Sequence, residues 1–177
     1  GFIALIVVEI AVSWRRRDGY YRTGEMFVNI GHGVAYQTLE LFTKASLMVP
    51  FLAVREHAAL ATLPMTVSGW IVGLVAYDFV NYWFHRHSHE VNALWAIHAA
   101  HHAAEDYNLA AALRQPLFQG LVGWVYRLPL ALFMGVPMFV GLVVFDFLYQ
   151  FLQHTRYVPK LGPVEWLMNT PSHHRVH

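Results

Sequence analysis

Long apolar segments that end in histidines constrain the fold of this chain more than any other feature of its sequence. The segment from about residue 65 to 84 leads directly into HRHSHEVNALWAIHAAHH, residues 85–102, and a later apolar segment, 117–153, ends at His154. At a rise of about 1.5 Å per residue, a 20-residue helix covers roughly 30 Å, the thickness of the hydrocarbon core of a bilayer. The pattern therefore predicts apolar helices that carry histidines at one end.

The composition favours a membrane protein. Hydrophobic residues make up 56% of the 177 and charged residues only 13%, whereas an average soluble domain is about 25% charged. We find no alternating strand pattern and no internal repeat, and therefore expect an all-α helical bundle. A net charge of +1 gives no basis for binding nucleic acid, and the absence of cysteine excludes disulfides, thiolate metal sites and a cysteine nucleophile.

The apolar segments predict about three membrane spans. Residues 1–13 are interpreted as the last part of one span, and the WRRR that follows marks the cytoplasmic side. The second segment, about 26–53, carries Glu40 and Lys44 at i,i+4, where the two charges would neutralise each other. The third segment, about 65–84, returns the chain to the cytoplasmic face.

A helical hairpin completes the predicted topology. Gly135-Val136-Pro137 divides the segment 117–153 into two arms, and Arg127 and Pro129 predict that the first arm is either bent or only partly inserted. We therefore expect one membrane domain over residues 1–177, and we expect this sequence to be an excerpt of a longer protein. The domain would be multi-pass in a bacterial inner membrane, with a histidine-rich helical cap on the cytoplasmic face.

Nine of the 12 histidines fall on this expected face, most of them in groups with helical spacing. Side chains three or four positions apart share one face of a helix. Neutral imidazole suits iron, zinc, copper and nickel, and a metal takes about four to six ligands, so nine imidazoles indicate two metal ions. The predicted ligands are His85, His89, His98, His101, His102, His154, His173, His174 and His177. The others, His32, His57 and His87, are interpreted as structural.

Polar residues lie at helical spacing beneath the histidines of two predicted helices. They are Asp78 and Tyr82 before His85, and Asp146 and Gln150 before His154. Polar groups in a membrane helix usually face the bundle interior, and a ligating histidine usually hydrogen-bonds through its second ring nitrogen. We predict that these four side chains support the ligands or pack helices together; the alternative is that they satisfy each other or bind water away from the site.

Other functional classes fit less well. We find no GxSxG, P-loop or GxGxxG motif, and His89-Glu90 lacks the second histidine of a zinc-protease HExxH motif. A metal transporter would bind near the bilayer midplane within paired repeats, and a structural zinc site needs only four ligands. A histidine-rich metal-binding or transport protein is kept as a remote alternative.

The motifs HxxxH, HxxHH and HHxxH, each after an apolar segment, resemble those of the fatty acid hydroxylase / sterol desaturase superfamily. More narrowly, YWFHRHSHEVNALW, HHAAEDYNLAAALRQ, LYQFLQHT and LGPVEWLMNTPSHHRVH are similar to the alkylglycerol monooxygenase-like subgroup and its bacterial members. The resemblance implies a monooxygenase whose two iron ions, a non-haem di-iron centre, use O2 to hydroxylate an unactivated C–H bond of a membrane lipid. In the subgroup, that carbon lies next to the ether oxygen of an alkylglycerol.

The electron source and the exact substrate stay open. The subgroup uses tetrahydrobiopterin, whereas the alternative is a lipid or sterol hydroxylase or desaturase supplied by a cytochrome or ferredoxin partner. Candidates for binding the lipid head group or the pterin follow the second motif: Glu105, Asp106, Tyr107, Asn108 and Arg114. An ordinary interfacial loop is the alternative for these five. The family pattern also implies a further histidine ligand after His177.

Overall fold

The computed structural model describes all residues, 1–177, and contains helices but no strands. The α-helices are α1 (Phe2–Arg16), α2 (Thr23–Ala58), α3 (Val67–Glu90), α4 (Asn92–His102), α5 (Gln119–Arg127), α6 (Val136–Leu152) and α7 (Pro171–His174). Short 3₁₀ helices cover Ala111–Leu113, Leu128–Leu132 and Gly162–Trp166. The prediction of an all-α chain is confirmed.

Local chemistry explains several helix boundaries. Thr66 caps α3 by accepting a hydrogen bond from the amide of Gly69 at 3.2 Å. A Cβ at Gly69 would lie 1.9 Å from the carbonyl oxygen of Pro64, so only glycine fits this turn. In the first arm of the predicted hairpin, α5 ends at Arg127 and Pro129 lies in the 3₁₀ helix that follows, so this arm is not one continuous α-helix.

The chain divides into two compact units. Unit 1 consists of Gly1–Val34, Ala100–Gln115 and Phe147–His177, and unit 2 consists of Ala35–Ala99 and Pro116–Asp146. The prediction that residues 1–177 form a single domain stays a prediction.

Unit 1 has a small apolar core around a buried carboxylate. Phe151 packs in this core against Phe2, with ring centroids 4.3 Å apart. Glu9 on α1 is only 5% exposed and accepts hydrogen bonds from the amide of Leu109 at 2.7 Å and from Thr155 Oγ1 at 2.6 Å. These bonds tie α1 to the two segments that follow α4 and α6.

Unit 2 has the larger core. Phe51 of α2 and Phe139 of α6 stack there with centroids 4.4 Å apart, beside Tyr77 of α3. Burying a large apolar side chain of this kind contributes roughly 1.5–3 kcal/mol. The predicted pairing of Glu40 with Lys44 is confirmed, with Nζ 2.7 Å from the carboxylate.

No helix combines the length and the apolar character that a membrane span requires. The three predicted spans and the inserted hairpin are therefore not confirmed. The two apolar helices α1 and α6 have 15 and 17 residues, which at about 1.5 Å per residue is less than the roughly 30 Å of a hydrocarbon core.

Candidate metal centre

Three histidines of unit 1 point their Nε2 atoms at one another. His101 lies near the end of α4, His154 follows α6, and His174 ends α7. The Nε2 atom of His154 lies 3.2 Å from that of His101 and 3.2 Å from that of His174. We refer to His101, His154 and His174 as the unit-1 triad; each offers one ligand atom to a group within 4.8 Å.

Main-chain carbonyls fix two rings of the unit-1 triad. The Nδ1 atom of His154 is 2.9 Å from the carbonyl oxygen of Gln150, and that of His101 is 3.1 Å from the carbonyl oxygen of Arg114. A carbonyl can only accept, so in the neutral imidazoles the proton is on Nδ1 and Nε2 carries a lone pair. Lone pairs that converge in a protein interior repel unless a cation lies between them. The donor set therefore fits a metal ion.

Burial keeps the unit-1 triad in its metal-binding form. His154 is 5% exposed, and burial, together with the nearby His101, lowers its pKa to about 3. Its imidazole is therefore neutral near pH 7, as a metal ligand must be. The ring of Tyr107 stacks on His154 at 5.7 Å and 22°, and its hydroxyl donates to the carbonyl oxygen of Gln153.

Unit 2 contains a second histidine group, His85, His89 and His98, which we refer to as the unit-2 triad. His85 and His89 are one turn apart near the end of α3, and the extended Val91 turns the chain into α4, which carries His98. The three ring centroids are 4.8–4.9 Å apart, and the three offer ligand atoms within 4.8 Å of one another. His98 is 2% exposed, and partial burial lowers the pKa of His89.

The remaining predicted ligands, His102, His173 and His177, lie outside the triads as defined here. The ring centroid of His177 is 5.1 Å from that of His102 and 5.6 Å from that of His174, all within unit 1. His173 is directed elsewhere, with its Nε2 3.9 Å from the carboxylate of Glu165. His87, interpreted from sequence as structural, has its Nδ1 2.9 Å from the hydroxyl of Tyr126.

A network of hydrogen bonds holds the four-residue helix α7, which carries His174. Glu165 accepts from Thr170 Oγ1 at 2.7 Å, from Ser172 Oγ and from the amide of Leu161. These donors lower the pKa of Glu165 to about 2. The carbonyl oxygen of Asn169 accepts from Gln153 Nε2 at 3.0 Å. A helix of one turn has little stability by itself, so these contacts place His174.

The four residues of the predicted polar stripes differ in exposure, and their support of the histidines stays a prediction. Asp78 is exposed because its neighbour Tyr77 faces the core of unit 2, and Tyr82 is exposed with its hydroxyl accepting from Arg86. Asp146 is half-buried. The side chain of Gln150 is exposed, and it is the backbone carbonyl of this residue that contacts His154.

The five predicted head-group or pterin residues all have partners within unit 1. Arg22 pairs with Glu105 at 2.7 Å and with Asp106 at 3.0 Å. Asn108 donates to the carbonyl oxygen of Tyr20, and Tyr107 has the contacts described above. Arg114 donates to the carbonyl oxygen of Ala100 at 3.0 Å and pairs with Glu25 at 3.3 Å. Their role in binding a ligand stays a prediction.

Sequence reasoning missed several residues that support the histidines. Glu9 was detectable as the single acid within the apolar segment 1–13. Gln153 and Gln119 gave no signal, because the partner of Gln153 lies on the main chain and that of Gln119 is 21 positions away. Glu165 was missed although Thr170 and Ser172 are only five and seven positions away.

Comparison with known proteins agrees with the histidine pattern. The sequence model of the fatty acid hydroxylase family matches residues 70–177, and the chain belongs to the fatty acid hydroxylase family. The resemblance drawn from the motifs is thereby confirmed.

Individual relatives narrow the relationship. Alkylglycerol monooxygenase of Homo sapiens is 39% identical over 99% of this chain, and that of Danio rerio is 36% identical over 99%. Ornithine lipid hydroxylase OlsE of Rhizobium tropici is 30% identical over 93% of the chain. The chain spans 40% of the length of the two alkylglycerol monooxygenases and 52% of OlsE. No solved structure matches.

Proposed function

We propose that this chain forms the catalytic region of a membrane-bound, non-haem di-iron monooxygenase that uses O2 to hydroxylate an unactivated C–H bond of a lipid. Membership of the fatty acid hydroxylase family and the likeness to two kinds of lipid-oxidising enzyme support the reaction class. The observation that carries the proposal is the unit-1 triad, whose three Nε2 atoms converge in a partly buried site without any acidic ligand.

The two triads would each hold one iron ion, with His102, His173 and His177 as further candidate ligands. Bound iron would supply the one-electron steps that activate O2. Residues of the chain would orient the ligands and limit the access of water. The carbonyls of Arg114 and Gln150 keep protons on Nδ1, so that Nε2 stays available for the metal. Tyr107 covers one face of His154 and limits the access of water.

A lipid substrate is supported by an apolar groove in unit 2. The groove has a volume of about 520 Å³ and is lined by residues of α3, of the 3₁₀ helix after α5 and of the position that follows it: Ile71, Val72, Val75, Ala76, Phe79, Val80, Pro129, Leu130 and Phe133. Volumes of several hundred Å³ with apolar walls are typical of ligand sites. The exposed apolar side chains of α3, among them Val75 and Phe79, also support contact with a lipid bilayer. We further propose an integral, multi-pass membrane protein with the histidines on the cytoplasmic face.

Within this class, we propose the carbon next to the ether oxygen of an alkylglycerol as the site of hydroxylation and tetrahydrobiopterin as the reductant. The similarity to alkylglycerol monooxygenases over nearly the whole chain supports this choice. The alternative is another lipid or sterol hydroxylase or desaturase that receives electrons from a cytochrome or ferredoxin.

The test is product analysis with the full-length protein, purified in detergent and reconstituted anaerobically with ferrous iron. An alkylglycerol and tetrahydrobiopterin are added under ¹⁸O2. We expect one ¹⁸O atom in the aldehyde released from the alkyl chain. Oxidation of an ester lipid or sterol with a cytochrome donor would support the alternative, and no iron-dependent oxidation of any lipid would refute the proposal.

A further inference from the structure

The side chain of Gln119 contacts one histidine of the unit-2 triad. Its Oε1 lies 2.8 Å from Nδ1 of His98. In the unit-1 triad the corresponding contacts are made by main-chain carbonyls, whose direction as acceptors is fixed. An amide side chain differs because it has an accepting oxygen and a donating nitrogen, which can exchange places.

The orientation of this amide decides which nitrogen of His98 can bind a metal. When Oε1 faces His98, Nδ1 carries the proton and Nε2 has the free lone pair. When the amide nitrogen faces His98, Nδ1 must accept and the proton moves to Nε2, which can no longer bind a metal. The observed orientation is the one that makes Nε2 available.

The cavity walls around this contact are mostly apolar, and Ser88 is the one further polar side chain in them. His98 is 2% exposed, and the cavity beside the pair has a volume of only about 10 Å³, with walls that include Phe84, Ile97 and Val122. A cavity of about this size is the smallest that can hold one water, which also needs two to four polar partners. Loss of the Gln119 side chain would therefore remove the acceptor that faces Nδ1 of the buried His98.

Gln119 is itself held in place. It is the first residue of α5, and its backbone N–H donates to the carbonyl oxygen of Pro116 at 3.1 Å. At the next position, a Cβ on Gly120 would lie 2.5 Å from Glu40 Oε1, so glycine allows the first turn of α5 to approach α2 closely. The local turn and the close approach to α2 thus both restrict the backbone that carries Gln119.

We propose that Gln119 is a positioning residue that selects the metal-binding tautomer of His98. Metal binding at the unit-2 triad depends on this side chain, whereas binding at the unit-1 triad does not. The inference rests on the proposed function only in requiring that both triads bind metal.

The test is a titration of the metal-free, full-length protein with Co²⁺, which reports on metal binding without turnover. Gln119→Met removes the acceptor at nearly constant volume, and Gln119→Glu replaces the amide by a group that can only accept. Gln115→Met is the matched control, because Gln115 donates to the carbonyl oxygen of Ala112. Circular dichroism checks that each variant is folded, and Gln119→Ala replaces Gln119→Met if that variant does not fold.

We expect two ions per chain in the wild type and in Gln115→Met. In Gln119→Met one ion binds as in the wild type, and the other binds about 10- to 100-fold more weakly. Gln119→Glu restores the affinity. Unchanged affinity in Gln119→Met, or equal weakening in Gln119→Met and Gln119→Glu, overturns the inference but leaves the proposed function intact. A wild-type protein that binds no Co²⁺ would count against both.

Discussion

The two histidine triads are similar in composition but differ in how their rings are oriented. In the unit-1 triad, His101 and His154 are held by the carbonyls of Arg114 and Gln150. In the unit-2 triad, His98 is held by the side chain of Gln119. A main-chain carbonyl is present whatever the residue at that position, whereas a side-chain acceptor is lost by a single substitution. We therefore expect the two triads to respond differently to the same kind of change.

The largest effect is expected for His154→Ala. His154 lies 3.2 Å from both other members of the unit-1 triad, so its removal takes away the central ligand. We expect one metal ion per chain to be lost, the other to remain, and lipid oxidation to fall below detection. Metal analysis and the product assay are the measurements.

The control for this variant is His57→Ala near the end of α2, which should change neither quantity. Retention of both ions in His154→Ala would show that the unit-1 triad is not a metal site.

A large loss of stability is expected for Glu9→Leu. The substitution leaves the donors of Tyr21, Leu109 and Thr155 without their acceptor in the interior of unit 1. Each unsatisfied buried donor costs about 1–3 kcal/mol, so we expect the free energy of unfolding to fall by about 3 kcal/mol or more. Denaturant unfolding in detergent measures this change.

Glu9→Gln keeps one accepting oxygen and should lose less stability than Glu9→Leu. Glu56→Gln, at an exposed position of α2, is the control. Equal stability of Glu9→Leu and the wild type would contradict the role of the buried carboxylate.

Acidification should destabilise the metal-free protein through His154. Its pKa is about 3 in the folded chain and near 6.5 when unfolded. Between pH 6.5 and 3, His154 is protonated in the unfolded state but not in the folded state. The contribution of the neutral, buried imidazole to the free energy of unfolding is therefore complete above pH 6.5 and declines as the pH falls towards 3. Unfolding curves from pH 7 to 5 should show this decline.

His154→Leu provides the comparison for the pH series. The variant should lose less stability on acidification than the wild type does. Parallel pH dependence in the two proteins would mean that other groups are responsible.

The smallest effect is expected for Gln150→Ala. Gln150 is exposed, and its contact with His154 is made by its main-chain carbonyl, which alanine retains. The metal content and the metal affinity of Gln150→Ala should therefore match those of the wild type. Co²⁺ titration beside Gln119→Met compares the two ways of orienting a ring directly. A weakening as large as that in Gln119→Met would contradict the comparison.

The sequence predicted the helical class and the grouping of the histidines because both depend on local spacing. His85 with His89 and the position of α7 followed from residues close in sequence. The division of the histidines into two triads did not, because it depends on which helices approach each other. Asp78 illustrates the limit: it shares a helical face with His85 in sequence, but the rotation of α3 that buries Tyr77 exposes it.

The groups that orient the histidine rings were the part of the site that was hardest to predict from the sequence. Ring nitrogens of His101 and His154 are bound by main-chain carbonyls, which every residue has and which leave no mark in the sequence. Gln119 is 21 positions from His98 and resembles any other glutamine. Arg114 was interpreted as a ligand-binding residue, but its guanidinium bonds to the carbonyl of Ala100, next to His101.

Metal content of the full-length protein tests the central claim most directly. The protein is purified from cells grown on iron-57, and bound metals are counted per chain alongside a Mössbauer spectrum. The account predicts about two iron ions per chain, with nitrogen-rich ligation at both. A protein that binds no iron after anaerobic reconstitution, or that holds a single tightly bound zinc and does not exchange it for iron, would contradict the account.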